Sequence, residues 1–428
     1  MQARPPRPPR PPNRRRRSGG RRVLTRVVAV VSAGLFVVVL GCVPAVALRS
    51  ERGAPERLRF GVSVLLDDQL SLVRGRRVGL VTDAGARDER GRGVETLFRA
   101  DPRARSARVV VVAAWRADAA ASATAGPYGA GTVADSIRLT GIADAMDSIA
   151  AVSQIVVVDL SDDGVRTGAA PWIMLAALRA ASQHHVALLV LDRPNPLTGE
   201  HSEGPVADAS SGASDALYGL PARHGMTLGE MARWFNATGA LNTALTVVPV
   251  RGWRRSAWPV APGVTLRRGD GSEKSPEQIA MLGALAPFAA TNLHVQAGKG
   301  RTHLRVGAPW LDAKAVAGIL SDRLMAGLQF RSDRAAFGAG GAMPALVIEV
   351  TDRDQASGLR LLGTLMWAVR HLHAGSLSVD SLAFDRTAGS GAMRRAVVGG
   401  EDPDGAADRE LLGVVDFRRR VRAVLLYR

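Results

Sequence analysis

The sequence predicts an α/β protein of two subdomains, the first of them built on a parallel sheet. Three observations lead there. Between Phe60 and Leu191, short apolar, β-branched runs alternate with longer stretches of helical pattern, the order that lays strands parallel with crossover helices on the faces of the sheet. Hydrophobic residues make up 46% of the 428, enough to fill the cores of two or three domains. Past Leu197 the texture changes to a stretch rich in Gly, Ser, Ala and Asp through about Gly219. That change sets a boundary near residues 197–225, with the first subdomain spanning 60–210 and the second 220–428.

The chain opens with a Pro/Arg-rich segment, residues 1–26, followed by an almost unbroken apolar stretch over residues 27–48. A basic run before an apolar one is the order of an export signal. Within it Val39-Leu40-Gly41-Cys42 resembles a bacterial lipobox, which makes Cys42, the only cysteine, the lipidation site implied by that reading. Ala45-Val46-Ala47 alternatively fits the small-x-small site of ordinary signal peptidase, a reading ranked behind the other two, and the stretch is long enough to stay as a membrane anchor. All three fates put the globular part outside the cytoplasm, because the arginines hold the N-terminus inside. Two of them make the membrane a partner, and residues 49–59 read as the tether.

In the first subdomain Arg77–Thr82, Arg108–Ala113, Ile155–Leu160 and Val186–Leu191 read as strands, and Trp172–His185 has helical length. Further on, Thr227-Leu228-Gly229-Glu230 forms a capping box at the head of a helix reaching about Asn236, since the hydroxyl and the carboxylate each satisfy an orphan backbone N–H. Ser275-Pro276-Glu277-Gln278 repeats the device with proline at the favoured first position. Leu245–Val250 and Ala345–Val350 read as strands, Asp312–Leu328 and Ser357–His373 as amphipathic helices, and Asp408–Tyr427 as a closing helix whose arginines face solvent.

Charge and composition exclude several classes. The formal net charge is +17, but eleven arginines and no acid lie in the first 50 residues, leaving +6 for the remainder. With three lysines against 53 arginines and no basic-aromatic patch, nothing supports nucleic-acid binding. One cysteine excludes a disulfide framework and any cysteine-built metal site. His184-His185 and His371-x-His373 have neither helical metal-ligand spacing nor an HExxH context. There is no GxSxG, GxxxxGK[ST] or strand-borne GxGxxG, so serine hydrolase, P-loop and dinucleotide chemistry lose support.

Asp159 and Asp192 each close an apolar strand, and ligand crevices in open α/β sheets form outside the carboxyl ends of strands. A simple cap of the following helix or turn fits the same position. Asp159-Leu160-Ser161-Asp162-Asp163-Gly164 adds two carboxylates. Paired carboxylates suit glycoside hydrolysis, one giving a proton while the other stabilises or attacks the sugar cation.

Several segments share the order of a known family: Gly61-Val62-Ser63-Val64-Leu65-Leu66, Gly75-Arg76-Arg77-Val78-Gly79-Leu80-Val81-Thr82, Val190-Leu191-Asp192-Arg193-Pro194-Asn195-Pro196 with Glu203-Gly204-Pro205, and Arg223-His224-Gly225-Met226-Thr227. Gly252-Trp253-Arg254-Arg255, Gly307-Ala308-Pro309-Trp310, Thr351-Asp352-Arg353-Asp354, Phe384-Asp385-Arg386 and Leu425-Leu426-Tyr427 complete the series. From about Phe60 to Tyr427 the chain resembles the bacterial exo-β-N-acetylmuramidases of the NamZ type, also known as DUF1343. The resemblance implies a Rossmann-like N-terminal subdomain, a smaller C-terminal α/β subdomain, a saccharide cleft between them, and no nicotinamide or metal cofactor. It implies release of terminal N-acetylmuramic acid from the non-reducing end of peptidoglycan fragments. The family's Asp-x-x-Asp-x-Gly-x-Arg run falls on Asp159, Asp162 and Arg166, implying catalytic roles for the two aspartates. Arg166, Asp192, Arg193, Asn195, His224, Asn292 and Arg301 are the implied saccharide contacts.

The chain departs from this pattern where an enzyme is most exposed to change. The family's Ser-Pro-Glu-His-Gly segment, whose glutamate is the leading catalytic candidate, is here Ala113-Ala114-Trp115-Arg116-Ala117-Asp118. An aromatic run after the family's arginine becomes Thr167-Gly168-Ala169-Ala170, and two further glutamates are missing around Ala289-Ala290-Thr291-Asn292 and Gln296–Thr302. Losing a positioned general acid costs roughly a hundredfold to ten-thousandfold in rate. Weakened or lost catalysis is therefore the expectation, with Asp118, Asp162 or Asp163 as replacement acids; a membrane-tethered protein that binds muramyl saccharide without cleaving it, or meets an envelope partner, is the alternative.

Overall fold

Five strands lie side by side in one parallel sheet: β1 (Arg77–Thr82), β2 (Val110–Arg116), β3 (Ile155–Asp159), β4 (Ala187–Leu191) and, much later in the chain, β7 (Leu245–Val248). The computed structural model describes residues 57–116, 133–208, 217–262, 265–298, 300–338 and 341–428. The readings on the segment 1–26, the apolar stretch 27–48 and Cys42 lie outside them.

Alternate residues of each strand enter opposite cores, as the pleat requires. Val78, Leu80, Val157, Leu189 and Leu191 pack on one face with Val62, Leu65 and Phe98. Val81, Val156, Val158, Leu188 and Val190 pack on the other with Met174, Leu178 and Phe235. The helices covering the first face are α1 (Gly61–Asp68) and α2 (Val94–Ala100), followed by the short α3 (Pro102–Ser106). On the second face lie α4 (Val133–Val152), α5 (Ala169–Gln183) and α6 (Leu228–Thr238). Helix α5 buries Ala170, Ile173, Met174, Ala177, Leu178 and Ala181, spaced to form one stripe. At α6 both halves of the capping box are present.

The second layer is a four-stranded antiparallel sheet ordered β10 (His294–Ala297), β11 (His303–Gly307), β13 (Ala342–Val350), β12 (Leu328–Ala336). It shares a core with α7 (Pro276–Leu285), α8 (Ala313–Asp322), α9 (Gly358–His373), α10 (Ser381–Ala388) and α11 (Ala392–Val398). Two small ribbons complete the strands: β5 (Glu203–Val206) with β6 (Pro221–Arg223), and β8 (Leu266–Arg267) with β9 (Glu273–Lys274). The last helix, α12 (Pro403–Val421), sends Ala406 and Ala407 into the second core and Phe417 and Val421 into the first. Arg418, Arg419 and Arg420 on it are exposed.

The structure departs from the sequence reading at several points. The helix expected over Asp312–Leu328 ends at Asp322, and Leu328 opens β12. The chain turns at Gly327, which holds φ +75 with its Cα so close to the Asp352 carbonyl that an added Cβ would lie 2.3 Å away. Strand β12 was hidden because it is an exposed edge carrying Arg331, Asp333 and Arg334 rather than an apolar run. Strand β7 and helix α6 follow the 197–225 stretch but complete the first layer. The tether expected over 49–59 ends inside the folded body, where Arg59 bridges Arg251 and its guanidinium reaches Asp67 and Asp68.

Besides α12, several contacts join the layers. Arg166 donates to the carbonyls of Leu220, Thr387 and Ala388. Glu203 accepts from the Gly358 and Leu359 N–H groups at the head of α9, 3.2 Å each. Trp258 lies between the guanidinium groups of Arg223 and Arg353, 5.4 and 4.2 Å from its ring centroid. The cavity at this junction, lined by Val165, Glu203, Arg223, Gly283, Leu359 and Thr387, measures about 20 Å3. That is room for about one water.

Candidate functional site

Numbered along the chain, the strands of the parallel sheet run 2-1-3-4-5, an order whose topological switch point falls between β1 and β3. Crevices for ligands form there because the connections leave the two strands in opposite directions. β1 ends at Thr82, followed by Asp83; β3 ends at Asp159, in register with Thr82.

Asp159 is wholly buried. The Arg193 Nε–H donates to its Oδ1 at 2.5 Å, while Arg193 Nη1 donates to the Arg87 carbonyl at 2.7 Å and the guanidinium sits 5.1 Å from the Phe60 ring centroid. Burial drives the Asp159 carboxyl above the ordinary carboxylate range, and the Arg193 charge opposes that rise. Asp83 accepts from the N–H groups of Gly85 and Ala86 and from the Ser161 hydroxyl through Oδ1, and from the Ser161 N–H at 2.6 Å through Oδ2. It ties the loop after β1 to the loop after β3, and burial pushes it up to about 6.

Asp162 and His224 come together beside this pair. His224 is 0% exposed, and its Nε2 lies 3.2 Å from Asp162 Oδ2 without the alignment of a hydrogen bond. Asp163 turns the other way, to a bidentate pair with Arg268, whose Nε–H donates to Oδ1 at 2.8 Å. Arg268 stands on the turn of the β8–β9 ribbon, which packs on this edge of the sheet: Cβ atoms added to Gly85 and Gly269 would lie 2.6 Å from the Arg267 carbonyl oxygen and 2.9 Å from Asp83 Oδ2. Each carboxylate of the Asp159–Gly164 turn thus meets a basic group from a distant part of the chain.

Six polar side-chain atoms here are buried and make no hydrogen bond among the described residues: Thr82 Oγ1, Asp159 Oδ2, both Asp162 oxygens, Arg193 Nη2 and His224 Nε2. Buried polar atoms are nearly always satisfied, so these atoms mark polar positions at or just past the ends of β1, β3, β4 and β6.

Other sequence candidates make their contacts elsewhere in the structure. Asp192 accepts from the Thr227 hydroxyl (2.7 Å), the Gly229 N–H (2.8 Å) and the Tyr427 hydroxyl (2.6 Å), and burial pushes it up to about 6. It fastens the end of β4 to the head of α6 and to the C-terminal segment. Asn195 donates to the Met226 carbonyl and accepts from the Leu197 N–H, both at 2.7 Å. Arg166 is the staple between layers, and burial lowers it to about 10. Asn292 binds the Ser376 carbonyl and the Ser378 N–H, and Arg301 is exposed on the turn between β10 and β11. Both belong to the antiparallel layer. Asp83 was missed, although it carries the signal that marked Asp159, an acid closing an apolar strand. The segment Ala113–Arg116 forms the end of β2, and Asp118 lies outside the described residues.

Comparison with known proteins bears on this architecture. The family models for the N-terminal and C-terminal parts of exo-β-N-acetylmuramidase NamZ match residues 143–267 and 283–427. The peptidoglycan β-N-acetylmuramidase NamZ of Bacillus subtilis (strain 168) is 24% identical over 390 residues, covering 89% of this chain and 94% of that protein. Two DUF1343 family proteins of Bacteroides fragilis NCTC 9343 share the fold, with TM-scores of 0.68 and 0.61 at 22% and 18% identity, each comparison covering 87% of this chain and 99% of the other. With both family models matched in order across the two layers, the chain belongs to the NamZ exo-β-N-acetylmuramidase family, DUF1343.

Proposed function

We propose that this chain is an exported, peptidoglycan-directed protein that engages the terminal N-acetylmuramyl unit at the switch point of its parallel sheet, with turnover far below that of an enzyme holding a positioned general acid. The observation that carries the reading is the group of unsatisfied polar atoms on Thr82, Asp159, Asp162, Arg193 and His224 at the carboxyl ends of β1 and β3. A saccharide offers the hydroxyl, amide and carboxylate groups that such a set can pair. Export is supported by the basic-then-apolar order of the first 48 residues, and the substrate class by the activity of the Bacillus relative.

The chemistry at hand is partial. Asp159 has the raised carboxyl of a proton donor, but it shares its Oδ1 with Arg193. Asp162 stands as the second carboxylate that glycoside hydrolysis requires. The experiment is release of N-acetylmuramic acid from a chromogenic β-N-acetylmuramide by the full-length protein at high concentration, alongside calorimetric binding of N-acetylmuramic acid. Slow release that Asp159→Asn abolishes is the expected result. The burial of each carboxylate against a basic group favours a second reading, a binding protein without turnover, which binding without release would establish. Neither binding nor release from a folded protein would overturn both.

A further inference from the structure

Five arginines gather at the end of the parallel sheet opposite the candidate site. Arg74, Arg76 and Arg77 lead into β1, while Arg105 and Arg108 lead from α3 into β2. Two backbone bonds hold these segments together: the Gly75 N–H donates to the Ala107 carbonyl at 2.8 Å, and the Val110 N–H to the Arg76 carbonyl at 3.3 Å. All five arginines are exposed, and neither residues 69–82 nor residues 102–116 contain an acid. Arg77 donates through Nε to the Val152 carbonyl. The guanidinium groups of Arg74, Arg76, Arg105 and Arg108 have no ion pair or hydrogen bond among the described residues.

Neither packing nor pairing among the described residues accounts for this cluster. Like charges held side by side repel, and Arg108 holds φ +55, a left-handed backbone that glycine and asparagine adopt more readily than arginine. Beside the arginines, the edge strand β2 leaves Val110 54% and Val112 38% exposed, while Val109 and Val111 pack on the core of the other face. Arg77 lies opposite Val110 in the parallel register, so cationic and apolar side chains share one outer surface. Guanidinium groups bind phosphate through paired hydrogen bonds, and exposed valines gain by leaving water. A soluble polyanion would satisfy the first and leave the second wet; an anionic bilayer offers phosphates in a plane with an apolar layer beneath. We propose that this patch docks the folded body on an anionic phospholipid surface. The docking stands apart from the muramyl reading, but it orients the site of that reading. β1 runs six residues from Arg77 to Thr82, about 17–20 Å, so the carboxyl ends of β1 and β3 are turned away from the bilayer, toward peptidoglycan.

The test reads each arginine separately, because the apolar stretch 27–48 is expected to hold the full-length chain on any vesicle. Full-length protein is reconstituted in vesicles of phosphatidylcholine alone and of phosphatidylcholine with phosphatidylglycerol in equal parts. Phenylglyoxal then modifies accessible guanidinium groups, and mass spectrometry locates them. With phosphatidylglycerol present, modification of Arg74, Arg76, Arg105 and Arg108 should slow about fivefold, the scale of one arginine at an anionic surface. Arg254, exposed past the carboxyl end of β7, should react alike in both. Arg108→Asn suits the left-handed backbone, so in urea unfolding it should be at least as stable as wild type, while the protection of Arg74, Arg76 and Arg105 falls by about half. Equal modification of the four arginines in both vesicles would overturn the proposal, as would protection of Arg254 in their place. Inorganic phosphate or soluble polyphosphate that protects them as well as the bilayer does would also overturn it, in favour of a site for dissolved anions. None of these results touches the muramyl reading, which stands or falls on binding and release of the sugar.

Discussion

Asp192 shows how a residue at a site-like position becomes structural. It closes a strand as Asp159 does, but it is wholly buried and its three donors come from Thr227, Gly229 and Tyr427, all of them parts of the frame. Its carboxyl, pushed up to about 6 by burial, has a thermodynamic consequence. Between about pH 4 and pH 6 the folded state keeps a proton that the unfolded chain has released, so stability falls as pH rises through that window and the neutral carboxyl contributes fully below it. A rise of about two units corresponds to about 3 kcal/mol. Urea unfolding at pH 4 and pH 7 should therefore show the stability of wild type relative to Asp192→Asn falling by about 3 kcal/mol; a difference that stays constant would refute the assignment. Sequence alone placed Asp159, Asp162, Arg193 and His224 among the candidates, and the structure pairs Asp159 with Arg193 and sets His224 3.2 Å from Asp162. It also gave Asp192, Asn195, Arg166 and Asn292 the same weight, because the partners that occupy them lie 31 to 235 residues away or are backbone groups that no motif displays.

At the scale of the element, the capping boxes were legible because both partners lie within four residues: Thr227 with Glu230, and Ser275 with Gln278. The central strands were legible for a related reason, since apolar residues on both faces leave an unbroken run. Strand β12 and the β8–β9 ribbon were not, being exposed and polar, with their place set by distant pairing. That ribbon is held to the sheet edge by Arg268 and Asp163 at 9% and 10% side-chain exposure. Arg268→Ala should free it, and hydrogen exchange of residues 266–274 should accelerate by tenfold or more while the strands β1, β3 and β4 keep their protection. Arg268→Lys should rescue little, because an ammonium cannot match a carboxylate through two parallel bonds. At the head of α6, Thr227→Ala removes both a cap and a donor to Asp192, and should cost about 2 kcal/mol in urea unfolding.

Residues 56–428 form one compact unit, and its two sheets share fastenings that neither could keep alone. Arg166 reaches from the first layer to the end of α10, and its removal strands three carbonyls; Arg166→Ala should destabilise the whole protein by roughly 3 kcal/mol and leave a single unfolding transition. Two separated transitions would show that the layers fold independently. The more consequential fastening is α12. Phe417 and Val421 fill the core under strands laid down more than 200 residues earlier, and the Leu426 N–H and Tyr427 hydroxyl close on Glu230 and Asp192. Truncation at residue 402 should abolish the folded signal of the parallel layer by circular dichroism as well as that of the antiparallel one. During synthesis, then, the first sheet waits for the last. At ribosomal rates of roughly 5–20 residues per second, the nascent chain spends on the order of tens of seconds with its first core unsealed, and that interval is available to any chaperone or translocation machinery that handles only unfolded polypeptide.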